Sequence, residues 1–194
     1  MNELKVIANI NEEIKRIIDL AEDISLTATN AILVARQAGS NAVGFSVVAR
    51  ELRMFSDKIA KAMQELSQLI YQQVAITATK RNRLRSVIKL NQASALNELA
   101  KTRLASACEC SQSEIDEMES VISGILNSLQ IAMKRTVKQC ASGMVIARSA
   151  GIESAHGGEM TLALHQVAQS VEDIVNNIAM RIKNLGIQLT EVTV

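Results

Sequence analysis

The residues best equipped for chemistry are few. Cys108-Glu109-Cys110 places two thiols two positions apart, and a third thiol stands alone at Cys140. The only histidines are His156 and His165, with Glu153 and Glu159 beside the first. Thiolates and imidazoles of this kind bind zinc when they converge. On a helix, however, residues two apart diverge by roughly 200°, so Cys108 and Cys110 could share an ion only where the helix ends. His156 and His165 would point to opposite helix faces, and Cys140 reads as a small buried hydrophobe. No phosphate-binding, dinucleotide-binding, nucleophile-elbow or zincin string occurs; Gly157-Gly158 reads as a turn. The sequence therefore calls for no catalytic residue, no metal and no cofactor. The expected activity is not enzymatic.

A third group is the basic run Lys80–Lys89. Arg81, Arg85 and Lys89 are four apart and form one positive stripe on a helix. Such a stripe could dock on anionic lipid, nucleic acid or an acidic partner. The alternative is a solvated face balanced by Glu114, Asp116, Glu117 and Glu119. No aromatic residues interleave to stack bases, so nucleic acid is not expected.

The elements that carry these residues follow from composition. Of 194 residues 48% are apolar, yet there is no Trp, one Tyr and two Phe. The apolar mass is aliphatic, which suits a narrow helical seam. Pro is absent, so nothing breaks a helix by fixing φ. Net charge is +1, giving no global attraction to nucleic acid or membrane. Three cysteines form no disulfide framework, early acids argue against a signal peptide, and no apolar run would span a bilayer. A cytoplasmic location is expected.

Ile7, Ile10, Ile14, Ile17, Ala21, Ile24, Ala28, Ala31, Ala35 and Ala38 alternate steps of three and four, a sustained heptad seam. Glu12 and Arg16 are spaced to pair across one turn. Gly39–Gly44 then predicts a tight turn, and the seam resumes at Phe45, Val48, Leu52, Phe55, Ile59, Ala62, Leu66 and Leu69. Two heptad helices joined by a short turn make an antiparallel hairpin. A second follows: Ile122, Leu126, Leu129, Met133, Cys140, Gly143, Ala147 and Ala150, a loop over 151–158, then Leu164, Val167, Val171, Ile174 and Ile178. The third seam matches the first at a constant offset of 112, and Ala35-Arg36-Gln37-Ala38-Gly39 corresponds to Ala147-Arg148-Ser149-Ala150-Gly151. Duplication explains both, with a second loop read as three residues longer.

The expected fold is all-α: an elongated antiparallel coiled-coil four-helix bundle built from two tandem helical hairpins. The division is 1–78 for the first hairpin, 79–112 for a basic helical connector and 113–194 for the second hairpin. The connector holds seven bases and two acids, and is helix-prone through Leu84, Val87, Ile88, Leu90, Leu96, Leu99 and Leu104. Ser111-Gln112-Ser113-Glu114 has the form of a capping box opening the third helix. With both tips at one end, the connector either bends near Asn91–Ser94 or is an overrun of the second helix folding back.

Leu20–Ile70 resembles the signalling-tip hairpin of methyl-accepting chemotaxis proteins. The resemblance is carried by Gly44-Phe45-Ser46-Val47-Val48-Ala49, followed in phase by Glu51 and Arg53, and by Asn30, Ala31, Ala35, Ala38 and Gly39. It implies a tip that contacts other chemotaxis receptors, a histidine kinase and an adaptor protein, with partner-binding positions at Asn30, Val34, Gln37, Val47, Glu51 and Arg53. Gly39 and Gly44 would form the tip turn. The chain departs from the family pattern where Val34 replaces a glutamate and Gln37 an arginine, and no methylation string of the family type occurs. Val34 and Val47, apolar near a solvent-facing tip, are expected to be covered by another protein.

The resulting expectation is a soluble chemoreceptor-like signalling or array-accessory protein, acting through its hairpin tip. The alternative is a structural or regulatory bundle that binds a partner through the basic face Arg81, Arg85 and Lys89. The duplication implies a single-chain pseudo-dimer, with a homodimer as the other arrangement.

Overall fold

The computed structural model describes residues 3–95 and 98–192, all helix and short turn with no strand. The side chains of Ile7, Leu99, Lys101 and Arg103, and Leu96 entirely, lie outside the described residues. Four long helices follow in order: α1 (Glu3–Gln37), α2 (Val43–Ser94), α3 (Glu98–Ser154) and α4 (Thr161–Val192). The chain divides into two compact units, one of Met1–Ser67 with Ile131–Val194, the other of Gln68–Gln130. The boundaries fall inside α2 and α3.

The first unit is a four-helix bundle of two hairpins, closed by contacts around a ring. α1 packs along α4, and Arg181 of α4 donates to Glu13 of α1 at 2.8 Å. α1 meets α2 where the buried Ser56 hydroxyl donates to the Ala21 carbonyl. α2 meets α3 where the Phe55 ring lies over Gly143 and where Arg135 pairs with Glu65. α3 meets α4 at the Ser154 and His165 side chains, 3.4 Å apart. Each step along α2 is matched by a step back along α3, so the two helices are antiparallel.

The heptad seam of α1 is the interior. Ile10, Ile14, Ile17, Ala21, Ile24, Ala28, Ala31 and Ala35 are all buried. On the other helices the stripe is displaced by one residue in places. Ala49 is buried where Val48 was expected, and Ala168 and Val175 in place of Val167 and Ile174; in the second unit, Ile70 is buried in place of Leu69 and Ile125 in place of Leu126, while Ile122 is half-buried. A bundle helix faces two neighbours, so its interior stripe is wider than a two-stranded seam and admits a small residue beside a large one. Interior polar residues are satisfied locally, as Thr136 shows by donating to the Ala132 carbonyl at 2.8 Å.

Duplication extends to the descending helices. Phe45, Ala49, Leu52, Ile59, Met63 and Leu66 correspond at one constant offset to Leu164, Ala168, Val171, Ile178, Ile182 and Leu185, all buried. That offset exceeds the one relating α1 to α3 by a single heptad, so the second turn region gains seven residues rather than three. Seven residues restore the same interior face, which is why both arms keep register.

Three local expectations are corrected. Arg16 pairs with Glu13 at 2.9 Å, not with Glu12, because Glu13 turns toward α4 and gathers both Arg16 and Arg181. Ser111–Glu114 caps nothing, since α3 runs unbroken from Glu98 and its amides there are already bonded within the helix. Gly151 is not a turn residue. Its φ is not positive, and α3 continues through Ile152 and Glu153 to Ser154, where the Ser154 hydroxyl donates back to the Gly151 carbonyl at 2.6 Å.

In the second unit, α2 continues without a break to Ser94 and α3 returns from Glu98. Lys80 pairs with Glu119 at 2.7 Å, Arg83 with Glu114 at 2.8 Å, and the Cys108 thiol lies 3.5 Å from the Asn91 side-chain oxygen. Part of the basic run is thus balanced by the acids of α3.

Two outcomes are expected from this packing. A Cβ at Gly143 would lie 2.5 Å from the Phe55 ring, so Gly143→Ala should destabilise the bundle by about 1–3 kcal/mol, read from urea unfolding. Phe55→Leu in the same chain should recover part of that loss. Burial pushes the Cys140 thiol from its ordinary 9.0 up to about 11. The folded state therefore keeps a proton that the unfolded state has released. Stability from this group should be complete below pH 9 and fall as pH rises through about 11, a slope that Cys140→Ala removes.

Candidate functional site

The end of the first unit at which both hairpins turn is the best-defined constellation. α1 stops because Gly39 adopts φ +67°, a left-handed conformation that costs a side-chain-bearing residue about 1 kcal/mol or more. Ala38 N–H still bonds the Val34 carbonyl at 3.1 Å, closing the last turn. A short 3₁₀ turn over Gly39–Ala42 leads directly into α2, with no side-chain cap and no acid in the first turn of α2.

The missing negative charge comes from the other hairpin. The Glu153 carboxylate, near the end of α3, occupies the space that a Cβ on Gly44 would need. A carboxylate at a helix N-terminus lies beside unsatisfied amides and the positive end of the helix dipole. Gly44 lies in the first turn of α2 with no positive φ, and a Cβ there would push aside the end of the Glu153 side chain and no backbone. The two turns are adjacent, as the sequence led one to expect, and Glu153 is the residue that links them.

The second turn closes with its own bonds. Gly158 has φ +57°, Met160 N–H bonds the Gly157 carbonyl at 3.0 Å, and the Thr161 hydroxyl donates to the Gly158 carbonyl at 2.8 Å. Gly157 is buried, because a Cβ there would meet Leu164 Cδ1 at 2.6 Å. His156 lies exposed in this turn, and His165 sits on α4. The Ser154 hydroxyl already donates to Gly151, so the His165 contact requires Nδ1 to carry the proton. Among the described residues no group of three His, Cys, Asp or Glu could hold a metal.

The six positions expected to bind partners are spread over α1 and α2. Asn30 and Gln37 are exposed on α1, whereas Val34 is half-buried. Val47 is 51% exposed. Arg53 lines an open groove of about 560 Å³ between α1 and α2, with Leu33, Arg36, Arg50 and Met54. Glu51 lines a different groove of about 420 Å³ between α2 and α3, beside Phe55, Lys58 and Gln139. Residues two apart diverge by roughly 200°, which separates Glu51 from Arg53. Arg81, Arg85 and Lys89 are exposed in the second unit.

Sequence reasoning missed most of the apolar surface near the turns. Val43 is 60% exposed, Ile152 67% and Leu162 71%, and Leu33 is also exposed. Val43 and Leu162 occupy duplicated positions in the first turn of their helices. The available signal was their place off the interior stripe. Exposed apolar side chains near a helical end are the kind of surface that another protein can cover.

The chain is similar to methyl-accepting chemotaxis and sensory transducer proteins, in diverged form. It is 25% identical over 184 residues, 89% of its length, to a putative methyl-accepting chemotaxis protein of Synechocystis sp., covering 18% of that protein. It is 41% identical over 61 residues to transducer protein Htr18 of Halobacterium salinarum, 31% of this chain and 8% of the relative. Identity is 40% over 63 residues to the methyl-accepting chemotaxis protein CtpL of Pseudomonas aeruginosa, 32% of this chain and 10% of the relative. The chain thus spans less than a fifth of the length of the curated relatives it matches. No protein-family model matches it.

The link between the turns gives a direct test. Gly44→Ala should displace Glu153 and loosen the end of the bundle, raising amide hydrogen exchange in residues 39–47 and 151–158 while leaving mid-bundle amides unchanged. Unchanged protection at both turns would show that Glu153 does not join them.

Proposed function

We infer that this chain is a chemoreceptor-like signalling or array-accessory protein, working in the cytoplasm by protein–protein contact through the end where its two hairpins turn. The observation that carries the reading is the exposed apolar set Val43, Val47, Ile152 and Leu162 beside that end. Similarity to chemotaxis transducers supplies the context and suggests partners: receptors, a histidine kinase or an adaptor. No helix among the described residues is long and apolar enough to cross a membrane.

The mechanism is packing. A partner would cover the apolar side chains, and a shift of helices within the bundle would alter what it meets. Asn30, Gln37, Glu51 and Arg53 would supply polar contacts around that patch. The half-buried Val34 would act through packing and not by direct contact.

Val47→Glu, alone or with Val43→Glu, should reduce capture of a chemotaxis kinase, adaptor or receptor tip by at least about tenfold, since a charge would have to be desolvated in the contact. Circular dichroism should show unchanged helicity, because both side chains already face water. Capture at wild-type level by every one of these partners would remove the turn end as the contact site.

A further inference from the structure

The second unit carries two faces of complementary charge on its two helices. From Glu65 to Glu98 the sequence contains no acid. Lys80 and Arg83 turn toward α3 and pair with Glu119 and Glu114. The opposite side of α2 presents Arg81, Arg85 and Lys89, all exposed, around Leu84 and Ile88. Ile88 is 56% exposed. Among the described residues, Arg85 and Lys89 form no ion pair.

α3 shows the reverse charge. Ile115 is buried, and the far side of the helix carries Glu109, Asp116 and Glu117, all exposed. Asp116 accepts a hydrogen bond from Gln112 at 2.9 Å, and neither Asp116 nor Glu117 is in an ion pair among the described residues. Between these acids run Ser106, Ser113 and Ser120, exposed and seven apart, with exposed Val121 at the edge. Short side chains at that spacing leave a shallow channel along the helix into which larger residues of a second helix can fit.

We propose that the occupant of each face is a second copy of this chain: the Arg85, Ile88 and Lys89 face of α2 packs on the Asp116, Glu117 and serine face of α3 in a neighbouring molecule. Ile88 and Leu84 fill the serine channel, and the two cations meet the two carboxylates. Complementary charge sets the pairing and its register. An anionic lipid surface would satisfy the cations but leaves the matching acidic face of the same unit without a role. The two faces lie on different helices and point away from their own partner helix, so the contact is heterologous and adds copies head to tail. This surface is separate from the turn end and does not rest on the signalling role.

The test is a charge exchange on the full chain, read by light scattering across a concentration series. At low salt the wild-type mass should rise with concentration past that of a dimer, and high salt should return it to monomer. Arg85→Glu with Lys89→Glu should weaken association at least tenfold, and so should Asp116→Lys with Glu117→Lys. Mixing these two folded variants should restore association, because the acidic α2 face of one meets the basic α3 face of the other. Helicity by circular dichroism confirms that each variant is folded, and neutral Gln replacements of the same residues substitute for any that is not. A wild-type chain that is monomeric throughout, variants that associate like wild type, or a mixture without recovery would each overturn the proposal. So would binding to phosphatidylserine vesicles that depends on Arg85 and Lys89 in a chain showing no self-association.

Discussion

The structure depends on burying a stripe of aliphatic side chains, spaced in threes and fours, from water on every long helix. One such helix cannot hide its stripe alone. Burying a Leu or Ile side chain contributes roughly 1.5–3 kcal/mol, so Ile10, Ile14, Ile17 and Ile24 on α1, with Ile59, Leu66, Ile178 and Ile182 opposite, hold the first unit together. Toward the turns the stripe changes to Ala28, Ala31 and Ala35 on α1 and to Cys140, Gly143 and Ala147 on α3. Small residues bring the helices closer there, and the Phe55 ring over Gly143 is the large residue that this closeness accommodates. Small residues therefore replace large ones in the interior as α1 and α3 approach the turn end.

That architecture explains why polar chemistry is peripheral. Ser56, Thr136 and Ser154, the buried hydroxyls, each donate to a main-chain carbonyl. Cys140 is shut away with its proton held more tightly. Charged side chains pair across helices at the rim, as Glu13 does with Arg181. The surface, by contrast, carries exposed apolar side chains near the turns of the first unit and opposed charged faces on the second.

Much of the fold was legible in the residue spacing. The period of α1 named its buried residues, because one aliphatic stripe flanked by charges leaves one way to face the interior. The period was ambiguous where two apolar residues are neighbours, as at Val48-Ala49 and Ile174-Val175. There the choice was made by which neighbouring helix each side chain meets, a fact that spacing along one helix does not contain. The turn at Gly39 was legible because glycine tolerates positive φ. Gly151 misled, because a glycine can also continue a helix when the residues after it complete the backbone bonds. The turn end was only partly legible. Val47 was recognisable as an apolar residue off the stripe, but Glu153 at Gly44 depends on two hairpins meeting far apart in sequence. Glu51 and Arg53, two apart in the family pattern, line separate grooves because a helix turns through more than half a circle between them.

The extra heptad in the second turn region has a consequence for stoichiometry. Two identical chains related by a twofold axis would show any visitor the same corner twice. Here one polypeptide contributes both corners, and they differ: Val43 follows a compact four-residue turn, whereas Leu162 follows a longer one bearing His156 and Glu159, with Ile152 in the last turn of the helix before it. A protein that recognises the first corner finds it once per molecule. Under the proposed role, the end of this bundle would present each corner once, occupying one seat in an assembly without offering a second seat of the same kind to extend it.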